Sequence, residues 1–153
     1  MNSDLLARVR DYLATHHVAT LATMGSDGPW AAAVFYVADG ASLYFLSSPK
    51  TRHCCNLKLE PRVAVTIQDD CSEWSAIKGV QLAGTVSELA GAEETLAKNL
   101  YAEKYAFLRV AALLPAALVT ALARVRWYRI DATRCYFIDN SVAFGRRDEI
   151  ELG

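Results

Sequence analysis

Six residues between positions 47 and 53 carry groups able to hold an anion: Ser47, Ser48, Lys50, Thr51, Arg52 and His53. They lie in the run Tyr-Phe-Leu-Ser-Ser-Pro-Lys-Thr-Arg-His-Cys-Cys-Asn-Leu, from Tyr44 to Leu57, where an apolar strand leads into a helix start. The first N–H groups of a helix have no intrahelical partner and carry the positive end of its dipole, so they favour a negative ligand. Hydroxyls, an ammonium and a guanidinium fork add donors that match phosphate oxygens. The same residues also suit an ordinary helix start, with Ser48 as N-cap, Pro49 at the first helical position and the basic side chains in water. The residues alone leave both readings open.

Other chemistry is less well supported. The cysteines are Cys54, Cys55, Cys71 and Cys135, and no pair has C-x-x-C spacing. A disulfide between the adjacent Cys54 and Cys55 would be strained, so reduced thiols are expected. His16, His17 and His53 form no metal-ligand pattern with these cysteines, and no metal site is expected. There is no convincing Ser-His-Asp set or carboxylate pair, and neither G-x-G-x-x-G nor a Walker loop occurs.

The elements that must position the cluster follow from periodicity. Asp4 to Thr15 has helical spacing, with Ser3 as a cap. Val18 to Met24, Trp30 to Ala38 and Ser42 to Ser48 read as an antiparallel meander, punctuated by Gly25-Ser26-Asp27-Gly28-Pro29 and Asp39-Gly40. Lys50 to Leu59 reads as a helix ended by Glu60-Pro61. Strands follow at Arg62 to Gln68 and Gly79 to Leu89, where Gly84 marks a bend or a close backbone approach. Ala92 to Phe107 reads as a helix with Leu96, Leu100 and Tyr101 toward the core, and Arg126 to Ile138 as a final strand bulged near Asp131. The expected fold is mainly β with flanking helices: a six-stranded antiparallel barrel in one domain, residues 1–153.

Composition excludes some partners. A net charge of −1 gives no pull toward nucleic acid or anionic membrane. The longest apolar stretch, Ala111 to Ala123, is broken by Pro115 and is shorter than the ~20 residues a spanning helix needs. The N-terminus lacks a secretory apolar region, so a cytoplasmic location is expected. The Ala- and Leu-rich segment from Val110 to Leu122 has too little polar surface to stand in water and is expected to cover the barrel or a partner.

With this order of elements, the chain resembles the pyridoxamine phosphate oxidase-like family of FMN-binding split barrels. The resemblance rests on Val18 to Thr23 with Asp27-Gly28-Pro29, Asp39-Gly40 through Ser47, Lys50-Thr51-Arg52-His53 with Asn56-Leu57, Glu60 to Val65, and Gly79 to Val86. Asp139-Asn140 and Phe144-Gly145 narrow it to a small bacterial branch. The resemblance implies a split barrel, a homodimer and FMN at the subunit interface. It implies that Ser47, Thr51 and Arg52 bind the FMN phosphate, supported by Lys50 or His53 beside Leu46. Backbone groups of Val34, Phe35 and Tyr36 would lie along the ring, and Gln81 would reach its polar edge. Trp74, Trp127 or Phe144 of the partner would close the site.

The chain departs from the vitamin-B6 oxidases of that family. Arg52-His53 replaces an Arg-Lys pair, Ile138 stands where they carry a tryptophan, and their C-terminal Arg-Leu-x-x-Arg segment is absent. A true pyridoxamine phosphate oxidase is therefore not expected. The first expectation is an FMN-dependent oxidoreductase acting on a small molecule. The alternatives are a non-catalytic flavin or haem binder, with His16, His17 or His53 as iron ligand, and a barrel that has lost its ligand and serves as an interaction module.

Overall fold

The computed structural model describes residues 3–109 and 114–152. Val110 to Leu113, the start of the apolar segment, lie outside the described residues. Helix α1 (Ser3–Thr15) precedes the hairpin β1 (Val18–Gly25) and β2 (Gly28–Phe35). Then come β3 (Val37–Asp39), β4 (Ser42–Ser47), α2 (Arg52–Leu59), β5 (Arg62–Gln68) and β6 (Lys78–Glu88). The chain continues through α3 (Gly91–Lys104), α4 (Ala116–Leu122), β7 (Arg126–Asp139) and β8 (Arg147–Ile150). Single 3₁₀ turns occur at Trp74–Ala76 and Ala106–Leu108.

The strands form one antiparallel sheet in the order β2-β1-β5-β6-β7-β4-β3, with β8 on the free part of β7. Among the described residues there are eight strands rather than the six expected from the sequence. The tail supplies one: Arg147–Ile150 pairs with Cys135 to Ile138. The other arises where the expected strand Trp30 to Ala38 breaks at Tyr36 into β2 and β3. Those halves lie at opposite ends of the strand order, so the expected meander is replaced by two hairpins, β1/β2 and β3/β4. Because Tyr36 links the two ends covalently, the sheet must curl on itself.

Tyr36 is held at that corner from three sides. Its N–H donates to the His17 carbonyl at 3.1 Å, its hydroxyl donates to the Leu13 carbonyl at 2.8 Å, and its carbonyl accepts from the Tyr105 hydroxyl at 2.5 Å. The side chain is 1% exposed. Lys104 adds its ammonium over the Tyr36 ring at 4.2 Å while donating to the Leu13 and His16 carbonyls at the end of α1. Burial brings the Lys104 ammonium down to about 8.

The barrel interior follows the period of two along each strand. Val63, Val65 and Ile67 of β5 face Val80, Leu82 and Val86 of β6, and α1 plugs the interior with Val9, Tyr12 and Leu13. Burying each large aliphatic side chain contributes about 1.5–3 kcal/mol. Arg8 of α1 also pairs with buried Asp139 at the end of β7. A second cluster joins α3 to β3, β4 and β7 through Ala97, Tyr101, Tyr105, Val37, Tyr44 and Trp127. Here the structure corrects the sequence reading: Ala97 and Tyr101 are buried on α3, whereas Leu96 is 44% exposed. The apolar α4 has no fully buried residue within the subunit, though Leu118 and Leu122 are half-buried.

The β6/β7 register shifts between Ala83 and Gly84, pairing with Arg134 and Ala132 and leaving Thr133 over. This bulge lies two residues from the position expected. At Gly84 a Cβ would stand 2.6 Å from the Asp131 carbonyl oxygen. The glycine thus serves a close approach of β7 backbone within the sheet.

Candidate functional site

The strand-to-helix junction at Ser47–His53 differs locally from the expected helix start. The N–H of Thr51 donates to the Ser48 carbonyl at 3.1 Å, which makes Ser48–Thr51 a turn. Pro49 and Lys50 sit in that turn, and α2 begins at Arg52 rather than Lys50. Thr51, not Ser48, is the N-cap: its extended backbone (φ −67°, ψ 150°) lets its hydroxyl accept from the Cys54 N–H at 3.4 Å. The first intrahelical bond runs from the Cys55 N–H to the Thr51 carbonyl at 2.9 Å. The N–H groups of Arg52 and His53 precede it and point out of the helix start.

Three side chains converge in front of this first turn. His53 Nε2 lies 2.8 Å from Ser47 Oγ and 3.2 Å from Thr51 Oγ1, and the two hydroxyls are 3.3 Å apart. The Thr51 hydroxyl donates to the Ser48 carbonyl at 2.8 Å, so toward Ser47 and His53 its oxygen accepts. The half-buried Ser47 Oγ is therefore the hydroxyl able to turn toward a ligand, while the buried His53 imidazole shares its Nε2 with both hydroxyls. Arg52 and Lys50 are exposed at the rim. The Arg52 guanidinium stacks on the indole of Trp30, with Cζ 4.3 Å from the ring centre.

Behind the junction lies Cys54, 5% exposed. Burial pushes its thiol up, but hydrogen bonds with His53, Thr51, Tyr128 and Ser47 outweigh that and bring it down to about 7. A thiolate is the reactive form. Alkylation of Cys54 by iodoacetamide, followed by peptide mass spectrometry, should be slowed by its burial but should rise across the neutral pH range. Cys135, which burial raises to about 11, should stay unmodified over that range. Equal labelling of the two would refute the assignment.

The remaining candidates fall into other groups. The Phe35 carbonyl accepts from the Tyr101 hydroxyl and the Tyr36 carbonyl from Tyr105, so both are engaged within the subunit. Phe35 itself is 55% exposed and edge-on to Tyr105, while Val34 is buried in the core. Leu46 pairs with Trp127 across β4 and β7, and Trp127 is buried against Tyr101. Gln81 is on the outer face of β6, in a groove with Thr20, Ala22, Thr66, Tyr136 and Arg147, and no other candidate lines that groove. Sequence reasoning placed Tyr101 in the core but missed its bond to the Phe35 carbonyl, and it missed Trp30 and Tyr105, because each acts through a fold contact with a residue far away in the chain.

The split barrel with an anion-ready helix start at its rim defines the class of protein. A family model described as pyridoxamine 5'-phosphate oxidase matches residues 5–139. The chain belongs to that family. Within it, the chain is 30% identical over 146 residues to the UPF0306 protein KPN78578_35330 of Klebsiella pneumoniae, covering 94% of this chain and 91% of that one. It is 28% identical over 141 residues to the UPF0306 protein plu4501 of Photorhabdus laumondii, covering 91% and 90%. These relatives bear out the reading of a small bacterial branch.

Solved structures with the same fold include a haem-binding protein from Mycobacterium smegmatis (TM-score 0.75, 23% identity, 98% of this chain and 59% of that chain). ChuZ of Campylobacter jejuni has a TM-score of 0.77 at 14% identity, over 99% of this chain and 61% of that chain. HutZ of Vibrio cholerae, described as a haem storage protein, has a TM-score of 0.66 at 17% identity, over 82% and 88%. At these identities the likeness shows the fold alone. The chain thus spans about three fifths of the first two structures. Among the described residues no helix is long and apolar enough to cross a membrane.

Proposed function

We propose that the chain is an FMN-binding flavoprotein and an FMN-dependent oxidoreductase for a small molecule, acting as a homodimer with FMN at the subunit interface. The observation that carries this reading is the first turn of α2. There the Arg52 and His53 N–H groups open the helix, Ser47 Oγ lies in front of them beside His53, and the exposed Arg52 guanidinium stands at the rim. That donor set fits a phosphate monoester. Thr51 shapes the turn and caps the helix, while Lys50 adds charge at the rim. Bound flavin supplies electron transfer, and the protein binds it, orients it and excludes water.

The ring would run from the junction along the end of β2, where the Phe35 side chain rather than its carbonyl is open to it. The outer faces of β1, β5 and β6 offer a second subunit a shallow groove lined by small residues, Ala22, Ala64 and Ala83. Trp74 and Phe144 pack edge to face at 5.7 Å yet are 59% and 79% exposed, as suits residues that cover a partner's site. Trp127 is occupied inside its own subunit.

Haem is the second reading, favoured by the neighbours described as binding or storing it. Its weak point is the iron ligand. His53 Nε2 is shared with two hydroxyls, and His16 is held by the Tyr12 carbonyl at 2.7 Å and Asp69 at 2.6 Å. Exposed His17 is the remaining histidine.

An absorbance spectrum of the isolated protein, repeated after adding FMN, decides between them. A band near ~450 nm is expected for flavin, and a Soret band would favour haem. Light scattering at micromolar concentration should give a dimer, and a monomer would overturn the interfacial site. Turnover of NADH or NADPH by the FMN-loaded protein separates enzyme from carrier.

A further inference from the structure

Arg52 differs from five other arginines of this chain in what holds it, and resembles Arg147, which lies over the Tyr136 ring. Arg8, Arg62, Arg126, Arg129 and Arg146 each pair with a carboxylate. Among the described residues Arg52 forms no ion pair, and its Cζ lies over the Trp30 ring, 4.3 Å from its centre, instead. A carboxylate would cancel the charge and consume the N–H fork. An indole face orders the group while leaving both the charge and the in-plane N–H edges available.

Trp30 is itself fixed to the helix that bears Arg52. It pairs with Thr23 across the β1/β2 hairpin, and its carbonyl accepts from the Thr23 hydroxyl at 3.4 Å. That hydroxyl accepts in turn from the buried Asn56 Nδ2 of α2 at 3.0 Å. Asn56 fits because residue 25 is glycine: a Cβ there would stand 2.1 Å from Asn56 Oδ1. A closed circuit therefore runs from Asn56 through Thr23 and Trp30 to Arg52 and back into the same helix. Arg52 is the first residue of α2, directly after the Thr51 cap, so its guanidinium stands at the helix N-terminus.

We propose that Trp30 is a positioning residue for the phosphate site, holding the Arg52 guanidinium aimed and charged for an incoming phosphate monoester. This rests on the FMN reading above and adds to it a residue that need not touch the ligand. Preorganisation of this kind improves affinity by lowering the ordering cost on binding.

The test is a double-mutant cycle in FMN affinity, measured by flavin fluorescence titration on Trp30→Ala, Arg52→Ala and the double variant, with thermal unfolding as a folding control. Trp30→Ala should weaken FMN binding about two- to fivefold, the range expected for an exposed cation–π contact. Trp30→Phe should recover part of the loss. In the Arg52→Ala background, Trp30→Ala should change affinity by less than about 1.5-fold, because no guanidinium is left to position. An equal loss in both backgrounds would mean that Trp30 acts on the ligand or the fold directly, and would overturn the proposal. An unchanged affinity in Trp30→Ala would do the same while leaving the FMN reading intact. Wild-type protein that binds no FMN would instead remove that reading, and the proposal with it.

Discussion

Arg52→Ala is expected to weaken FMN binding by roughly ten- to a hundredfold while leaving the melting temperature nearly unchanged. The affinity loss follows from removing a charge-assisted contact worth about 1.5–3 kcal/mol. Stability should hold because Arg52 is exposed and makes no ion pair among the described residues. Arg52→Lys should recover only part of the affinity, since an ammonium keeps the charge but loses both the bidentate fork and the planar stack on Trp30. Equilibrium titration of the three proteins checks this. An unchanged dissociation constant in a wild type that does bind FMN would move the phosphate elsewhere, most directly to the Arg147–Tyr136 groove that contains Gln81.

The second large effect concerns the fold. Gly84→Ala should destabilise the protein by about 1–3 kcal/mol. An added Cβ meets the Asp131 carbonyl oxygen at 2.6 Å and Ile130 Cγ2 at 2.9 Å. Neither neighbour yields easily, because Ile130 is 1% exposed and Asp131 sits in the β4/β7 ladder opposite Ser42. For a chain of this length, each kcal/mol lowers the melting temperature by about 2–4 °C. Urea unfolding should show a lower midpoint at an unchanged slope. A wild-type midpoint would mean that β7 can slide along its bulge, and the assigned register at Thr133 would be wrong.

These effects bear on function at different levels. Gly84 and the bulge set where β7 runs, and β7 pairs with β4, whose last residue is Ser47. The junction is thus built on the barrel's most extensively paired strand, which suits a site needing fixed geometry. Arg52 and Trp30 act at the rim, where affinity can change without disturbing the core. The departure at His53 gains meaning from its contacts: a lysine there could not reproduce the imidazole shared by Ser47 and Thr51.

Much of the architecture was legible because it rests on short-range periodicity. The alternation of Val63, Val65 and Ile67, and of Val80, Leu82 and Val86, marks strands whose one face is buried. The turn at Asp39-Gly40 and the stop at Glu60-Pro61 are also local chemistry. What failed was non-local. Trp30 to Ala38 has uninterrupted strand composition, and nothing in it signals that Tyr36 will be held by Leu13, His17 and Tyr105 and turn the chain. Arg147–Ile150 is too polar and short to read as a strand until β7 supplies its partner. On α3, Leu96 was expected toward the core, but the fold buries Ala97 and leaves Leu96 44% exposed.

The candidate site divides in the same way. By itself the sequence determined that a hydroxyl- and cation-rich helix start follows an apolar strand, since cap preference and helix dipole depend only on neighbouring residues. It also determined the mainly β class, through alternation that any pairing partner would exploit. The tertiary structure alone decided which hydroxyl caps the helix, that His53 joins Ser47 in front of it, and that Arg52 rests on an indole twenty-two positions earlier in the chain. Those contacts join residues brought together only when β2, β4 and α2 pack at one end of the curled sheet, and separation along the chain carries no trace of that proximity.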